Sequence, residues 1–264
     1  MRRVRLLLTL SALAACQGEP APERAPAPAP APPRAQEPAA AAAAAPAPAA
    51  APLRYLALGD SYTIGEGVPA GERWPEQLAA LLRAEGLELA PPVIVARTGW
   101  TTDELLAGLE AARPEGPFQL VTLLIGVNDQ YRGRPPERLR EGLRRLIPRA
   151  VELAGGRPER VLLVSIPDWG ASAFGRGADR AAIARSIDAC NAVVRSEAEA
   201  VGVGCLDVTA LSRQAGEDPQ HLVGDGLHPS GRAYAEWARA ILPAARAALA
   251  GPAPSSTGPG TGGR

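Results

Sequence analysis

Leu53 to Gly67 reads L-R-Y-L-A-L-G-D-S-Y-T-I-G-E-G. Leu53 to Leu58 is a short apolar run broken only by Arg54, the pattern of a buried strand. It stops at Gly59, and Asp60, Ser61 and Tyr62 follow at once. A serine set where a strand ends and the chain turns has a fixed backbone and an exposed hydroxyl. That arrangement suits a nucleophile. Gly65 and Gly67 then loosen the chain before the next helix. A strand followed by an ordinary polar turn would look the same, so later stretches must decide between the two.

Downstream, strand and helix patterns alternate, which argues for a parallel sheet with helices on both faces. Strands are expected at Pro92–Ala96, Phe118–Gly126, Arg160–Ile166 and Val203–Val208, making five with the first. Phe118–Gly126 is the most apolar and should be central. Helices are expected at Trp74–Ala84, Thr102–Ala112, Pro135–Ala154, Ala178–Val201 and Ser230–Leu249. Thr101 or Thr102 is a natural N-cap for the second of these. Pro136 suits the start of the third, and Pro243 should kink or divide the last. The fold class is therefore α/β, a three-layer α/β/α sandwich on a five-stranded parallel sheet.

The flanks differ in composition. The first 52 and last 14 residues are mostly Ala, Pro, Gly, Ser and Arg. Without them roughly 200 residues remain, the size of one α/β domain. The domain is placed at 53–250, with a disordered tail at 251–264. Segment 16–52 is Ala/Pro-rich and lacks the large apolar side chains that offset ordering entropy. It is expected to be a disordered, semi-rigid tether, at about 3.1 Å per residue reaching on the order of 100 Å. Residues 1–15 carry Arg2, Arg3 and Arg5 and then an apolar core, a signal-peptide pattern too short for a stable membrane span. Leu13-Ala14-Ala15-Cys16 resembles the lipobox of bacterial lipoproteins. The resemblance implies cleavage before Cys16 and lipidation there, which would anchor the chain to the periplasmic or surface side of a membrane. An ordinary secretory leader is the alternative.

The 28 basic and 28 acidic side chains balance, and no basic stripe points to nucleic acid. Every basic residue is Arg, so a catalytic lysine is excluded. Two histidines and no zinc-ligand spacing argue against a metal site. No organic cofactor is implied, and a monomer is expected. Cys190 and Cys205 could bridge or stay as free thiols; the spacing leaves both open.

In an open parallel sheet, sites form beyond the carboxyl ends of the strands. This chain sets Ser61 after the first strand and Arg97, Thr98, Gly99 and Trp100 after the second. Gly126, Val127, Asn128 and Asp129 follow the third, and Asp168 and Trp169 the fourth. A longer loop after the fifth carries Asp225, Gly226, Leu227, His228 and Pro229. Nucleophile, oxyanion donors, base and orienter are the parts of an acyl-transfer site.

The segments G-D-S-Y (Gly59–Tyr62), Gly99, G-V-N-D (Gly126–Asp129) and D-G-L-H-P (Asp225–Pro229) resemble the consensus blocks of the GDSL, or SGNH, hydrolase family. Tyr62 replaces the usual Leu. The resemblance implies a flavodoxin-like sheet and a serine esterase. Ser61 would be the nucleophile, His228 the base and Asp225 its orienter. The Ser61 and Gly99 N–H groups and the Asn128 amide would form the oxyanion hole. Asp60 reads as a turn former, Asp129 as structural, His221 as a surface residue. Trp100, Tyr131 and Trp169 are candidates for lining the substrate pocket. The substrate class implied is a carboxylic ester or thioester, of lysophospholipase or acyl-esterase type. A carbohydrate O-acetyl esterase of the envelope, or a lipoprotein that only binds in the cleft, are the alternatives.

Overall fold

The structure is a computed structural model and describes residues 51–250. The signal peptide, Cys16, the tether up to residue 50 and the tail from 251 lie outside the described residues. Five strands form one sheet: β1 (Tyr55–Gly59), β2 (Val93–Ala96), β3 (Leu120–Leu124), β4 (Val161–Val164) and β5 (Gly204–Leu206). Their order is β2-β1-β3-β4-β5 and every pairing is parallel. The apolar run around residue 120 is the central strand, as its composition predicts. All five residues of β1, of β3 and all four of β4 are buried, as strands covered on both faces must be.

Eight α-helices accompany the sheet among the described residues: α1 (Ser61–Ile64), α2 (Trp74–Ala84), α3 (Thr102–Ala112), α4 (Val127–Tyr131), α5 (Pro136–Leu153), α6 (Arg180–Val201), α7 (Thr209–Ala215) and α8 (Gly231–Ala250). α2 packs against α8, while α3 and α6 flank α5. This is the three-layer sandwich expected. α2 and α3 match their expected bounds. Thr101 caps α3 in a full capping box with Glu104.

Three details differ from expectation. The strands are shorter, because apolar residues such as Phe118, Ile125 and Ile166 stay buried in the flanking turns without joining the ladder. Of the two outcomes expected at Pro243, a kink or a division, division does not occur: α8 runs on through it, and α5 also carries an internal proline, Pro148. Both helices are amphipathic and pack an apolar face on the domain, so tertiary burial outweighs the local cost of proline. The short α1, α4 and α7 have too few residues to show a periodic pattern in the sequence. Cys190 and Cys205 are both free thiols.

Register sets the site. Gly59 of β1 pairs with Ala96 of β2 and Leu124 of β3, so three strands end level on one edge. The segments that follow them start from a common rim.

Candidate active site

Ser61 is the first residue of α1, directly beyond β1. Asp60 caps that turn, its Oδ1 accepting the Tyr62 N–H at 3.0 Å. Gly59 lets the turn close: a Cβ there would lie 2.1 Å from Thr63 Oγ1 and 2.5 Å from the Leu124 carbonyl. Ser61 is only 4% exposed, less open than a rim serine was expected to be, and what it shows faces a pocket. Asp60 is wholly buried, and its Oδ2 has no hydrogen-bond partner. Burial drives its pKa up to about 8; the Tyr62 N–H opposes this and the nearby Asp129 charge adds to it.

The other arm is the loop that follows α7. His228 Nδ1 lies 2.6 Å from Asp225 Oδ2. A carboxylate there selects the tautomer protonated at Nδ1, which leaves Nε2 as the basic nitrogen. Asp225 Oδ1 accepts the Leu227 and His228 N–H groups at 2.8 and 3.0 Å. Burial pushes the Asp225 pKa up, but the imidazole and these two N–H groups outweigh it and hold the carboxyl below its usual range. The carboxylate therefore stays ionised at neutral pH. The Tyr62 ring sits 5.1 Å from the His228 ring and stacks on Trp237 at 6.2 Å, so a buried aromatic column backs the imidazole.

The oxyanion candidates come from the neighbouring strand ends. Gly99 has φ +84°, a conformation that side-chain-bearing residues rarely adopt. Asn128, in α4, donates from Nδ2 to the Trp100 carbonyl at 3.0 Å. That bond uses one amide hydrogen and leaves the other. Ser61, Gly99, Asn128 and His228 line one cavity of about 170 Å³. The rest of its wall includes Tyr131, Trp169 and Phe174.

Those three rings form an aromatic cluster. Tyr131 and Phe174 each meet Trp169 edge-on, at 5.2 and 5.9 Å between centroids. Trp169 is fixed by its Nε1–H to Gln130 at 2.8 Å. Tyr131 and Phe174 are 54% and 46% exposed and account for two of the four exposed large apolar side chains among the described residues.

Sequence reading missed Phe174. Its signal was a lone large aromatic in the otherwise small-residue stretch Gly170–Gly175. Trp100 needs correction, since it does not line the cavity. Its indole fills the space above Gly108 of α3, where a Cβ would fall 2.1 Å from the ring.

Two carboxylates near the rim have other work. Asp129 is buried and accepts from the Thr102 N–H and hydroxyl and from Arg134, tying α4 to the start of α3. Asp168 is buried against Arg213 at 2.8 Å. His221 is no free surface residue: its ring lies between Asp218 and Glu236 at 2.9 and 3.2 Å.

Residues 57–236 match the GDSL-like Lipase/Acylhydrolase family. The chain belongs to that family. It is an ester-hydrolysing serine hydrolase. No curated protein sequence matches it significantly. Its fold is similar to those of solved structures at low identity. TesA is 24% identical, with a TM-score of 0.60 over 74% of this chain and 99% of that one. A lipase/acylhydrolase from Enterococcus faecalis is 24% identical, with 0.56 over 72% and 94%. An acetyl xylan esterase from Geobacillus stearothermophilus is 23% identical, with 0.56 over 73% and 94%.

Proposed function

We propose that this family member is an envelope esterase working through an acyl-enzyme on Ser61, with Asp225 and His228 completing the triad. The observation that carries the reading is the shared cavity. A serine, a glycine with positive φ, an asparagine amide and an imidazole already paired with a carboxylate all line or adjoin it.

His228 Nε2 takes the Ser61 proton as Oγ attacks the carbonyl carbon, and Asp225 steadies the imidazolium. The developing oxyanion is met by the Ser61 and Gly99 N–H groups and the second Asn128 amide hydrogen, each such donor worth about 3 kcal/mol in the transition state. His228 then protonates the leaving alcohol or thiol. It next removes a proton from water, which attacks the acyl-enzyme and frees the acid and Ser61.

The cavity is below the usual range for sites that enclose a drug-sized ligand. A short acyl group fits inside, and a longer one would run out over Tyr131 and Phe174. Short- to medium-chain acyl esters are the substrates proposed. A lysophospholipid would be accepted only with a short- to medium-length acyl chain, lying on that open aromatic edge. The small volume is also what favours the second reading, a carbohydrate O-acetyl esterase. The domain is proposed to act as a monomer, tethered to a bacterial envelope membrane by lipid on Cys16.

A p-nitrophenyl ester series on the full chain tests the reading. Turnover should persist from acetate to medium chains and fall at palmitate, and Ser61→Ala should abolish it. A sharp fall directly beyond acetate would move the assignment to the O-acetyl reading, and labelling by a serine-directed phosphonate that survives Ser61→Ala would end the Ser61 mechanism. Cys16→Ser should release active enzyme from the membrane fraction; a product still membrane-bound would contradict the anchor.

A further inference from the structure

Arg132 follows α4 directly and makes three contacts, two of them on the oxyanion candidates. Its Nη2 donates to the Gly99 carbonyl at 2.7 Å. Its backbone N–H donates to the Asn128 carbonyl at 3.1 Å. Its Nη1 pairs with Glu104 Oε2 at 3.2 Å. Glu104 is itself tied to the glycine turn, since its Oε2 accepts the Thr101 N–H at 2.8 Å. Asn128, from the same α4 turn, holds the next carbonyl, that of Trp100.

Two consecutive carbonyls of the Gly99–Trp100 turn are thus gripped, one from α4 and one from the residue that ends it. We propose that Arg132 is a positioning residue for the oxyanion hole, locking the Gly99 turn and the Asn128 turn into one unit so that their two donors keep a fixed spacing.

The physical need is specific. Gly99 is the residue whose backbone is freest to rotate, and its N–H would have to point at an oxygen that exists only in the transition state. A hydrogen bond from a charged donor to its carbonyl restrains the turn on the side away from substrate. Glu104 orients the guanidinium, so the restraint reaches from α4 through Arg132 to the cap of α3. Arg132 does not line the cavity that holds the reacting groups. An ordinary half-exposed Arg–Glu pair contributes little to stability. A purely structural role would therefore leave catalysis untouched.

The inference rests on the Ser61 esterase reading, and the test separates the two. On p-nitrophenyl acetate, Arg132→Ala should lower kcat about tenfold, or about 1.4 kcal/mol. KM and the thermal midpoint should stay near wild type. Arg132→Lys, which supplies one charged donor without the fork, should recover part of the loss. In an Asn128→Ala background the same Arg132→Ala change should cost less, because one of the two donors it aligns is already gone. Amide hydrogen exchange at Gly99 and Trp100 should quicken in Arg132→Ala, with or without turnover. Unchanged kcat, a loss carried by KM, or full additivity with Asn128→Ala would overturn the proposal. If wild type hydrolyses no ester, the esterase reading fails, and unchanged exchange at Gly99 would then reject the restraint as well.

Discussion

The two arms of the site are built in opposite ways. The nucleophile arm is an extension of the sheet: β1 is buried throughout, and Asp60 through Thr63 are buried with it. The base arm is a loop that holds itself. The Asp225 side chain is 42% exposed, and its position comes from bonds inside the loop and one from the segment that carries Phe174. Leu227 and His228 donate to Asp225, Val223 donates to the His228 carbonyl, and Phe174 donates to the Gly226 carbonyl. Precision on one side is inherited from the core, and on the other from a few local hydrogen bonds. Substitutions on the two arms should therefore fail differently.

The largest effect should come from removing either reacting group. Ser61→Ala and His228→Ala should each lower kcat by about 10⁴-fold or more, and the double variant should lose little beyond either single one. Steady-state kinetics with circular dichroism checks this; independent, multiplying losses would show that the two arms do not act as one unit.

Asp225→Asn should come next, at about 10²- to 10⁴-fold in kcat. The carboxylate both selects the tautomer and holds the loop, so this variant should also speed amide exchange over Gly224–His228, unlike Ser61→Ala. The folded-state pKa of Asp225 is depressed, so its stabilising contribution is present above the ordinary carboxylate pKa. It is lost only as pH falls through the lower folded value. Wild type and Asp225→Asn should then converge in stability at strongly acid pH and separate toward neutrality. Parallel urea-denaturation curves across that range would contradict the local-bond account.

The contrast between the arms also explains what could be read in the chain beforehand. The sheet, its five strands and the central place of β3 were legible because buried parallel strands are continuous apolar runs. Three of the site blocks were legible because they sit where such a run ends; the fourth, Asp225–Pro229, lies in the loop after α7 and was legible from its residue pattern alone. Trp100 misled because an aromatic beside a candidate glycine looks the same in sequence whether it faces a cavity or packs over Gly108. Phe174 and Arg132 were missed because their remote partners, Gly226 and Tyr131 for one and Gly99 and Glu104 for the other, lie on separate segments. Contacts between loops leave no periodicity.

Phe174 allows a smaller, sharper test. Its ring edges the cavity while its backbone is docked on the base loop. Phe174→Ala keeps the backbone bond and removes the ring. It should leave acetate turnover near wild type and lower kcat/KM for medium-chain esters by about tenfold, the scale of losing apolar contact in a pocket. Equal losses on acetate and octanoate would mean that the ring supports the base loop instead of the acyl chain.

The smallest effect on activity, and the clearest on stability, should come from Asp60→Asn on the nucleophile arm. Asn keeps the Oδ1 acceptor for the Tyr62 N–H and removes the ionisable group. With a folded pKa of about 8 against an ordinary value of 3.8, Asp60 stays protonated in the folded chain while it ionises in the unfolded one. Between those values the folded state binds the extra proton, so stability falls as pH rises, by up to about 1.4 kcal/mol per pH unit. The contribution is fully present below the unfolded pKa and is lost as pH passes through the folded one. Asp60→Asn should therefore gain on wild type steadily from pH 5 to pH 8 and then hold a constant lead, with turnover on acetate little changed. A constant difference across that range would mean that Asp60 is ionised beside Ser61, and that the core side of the site carries a charge the base arm must balance.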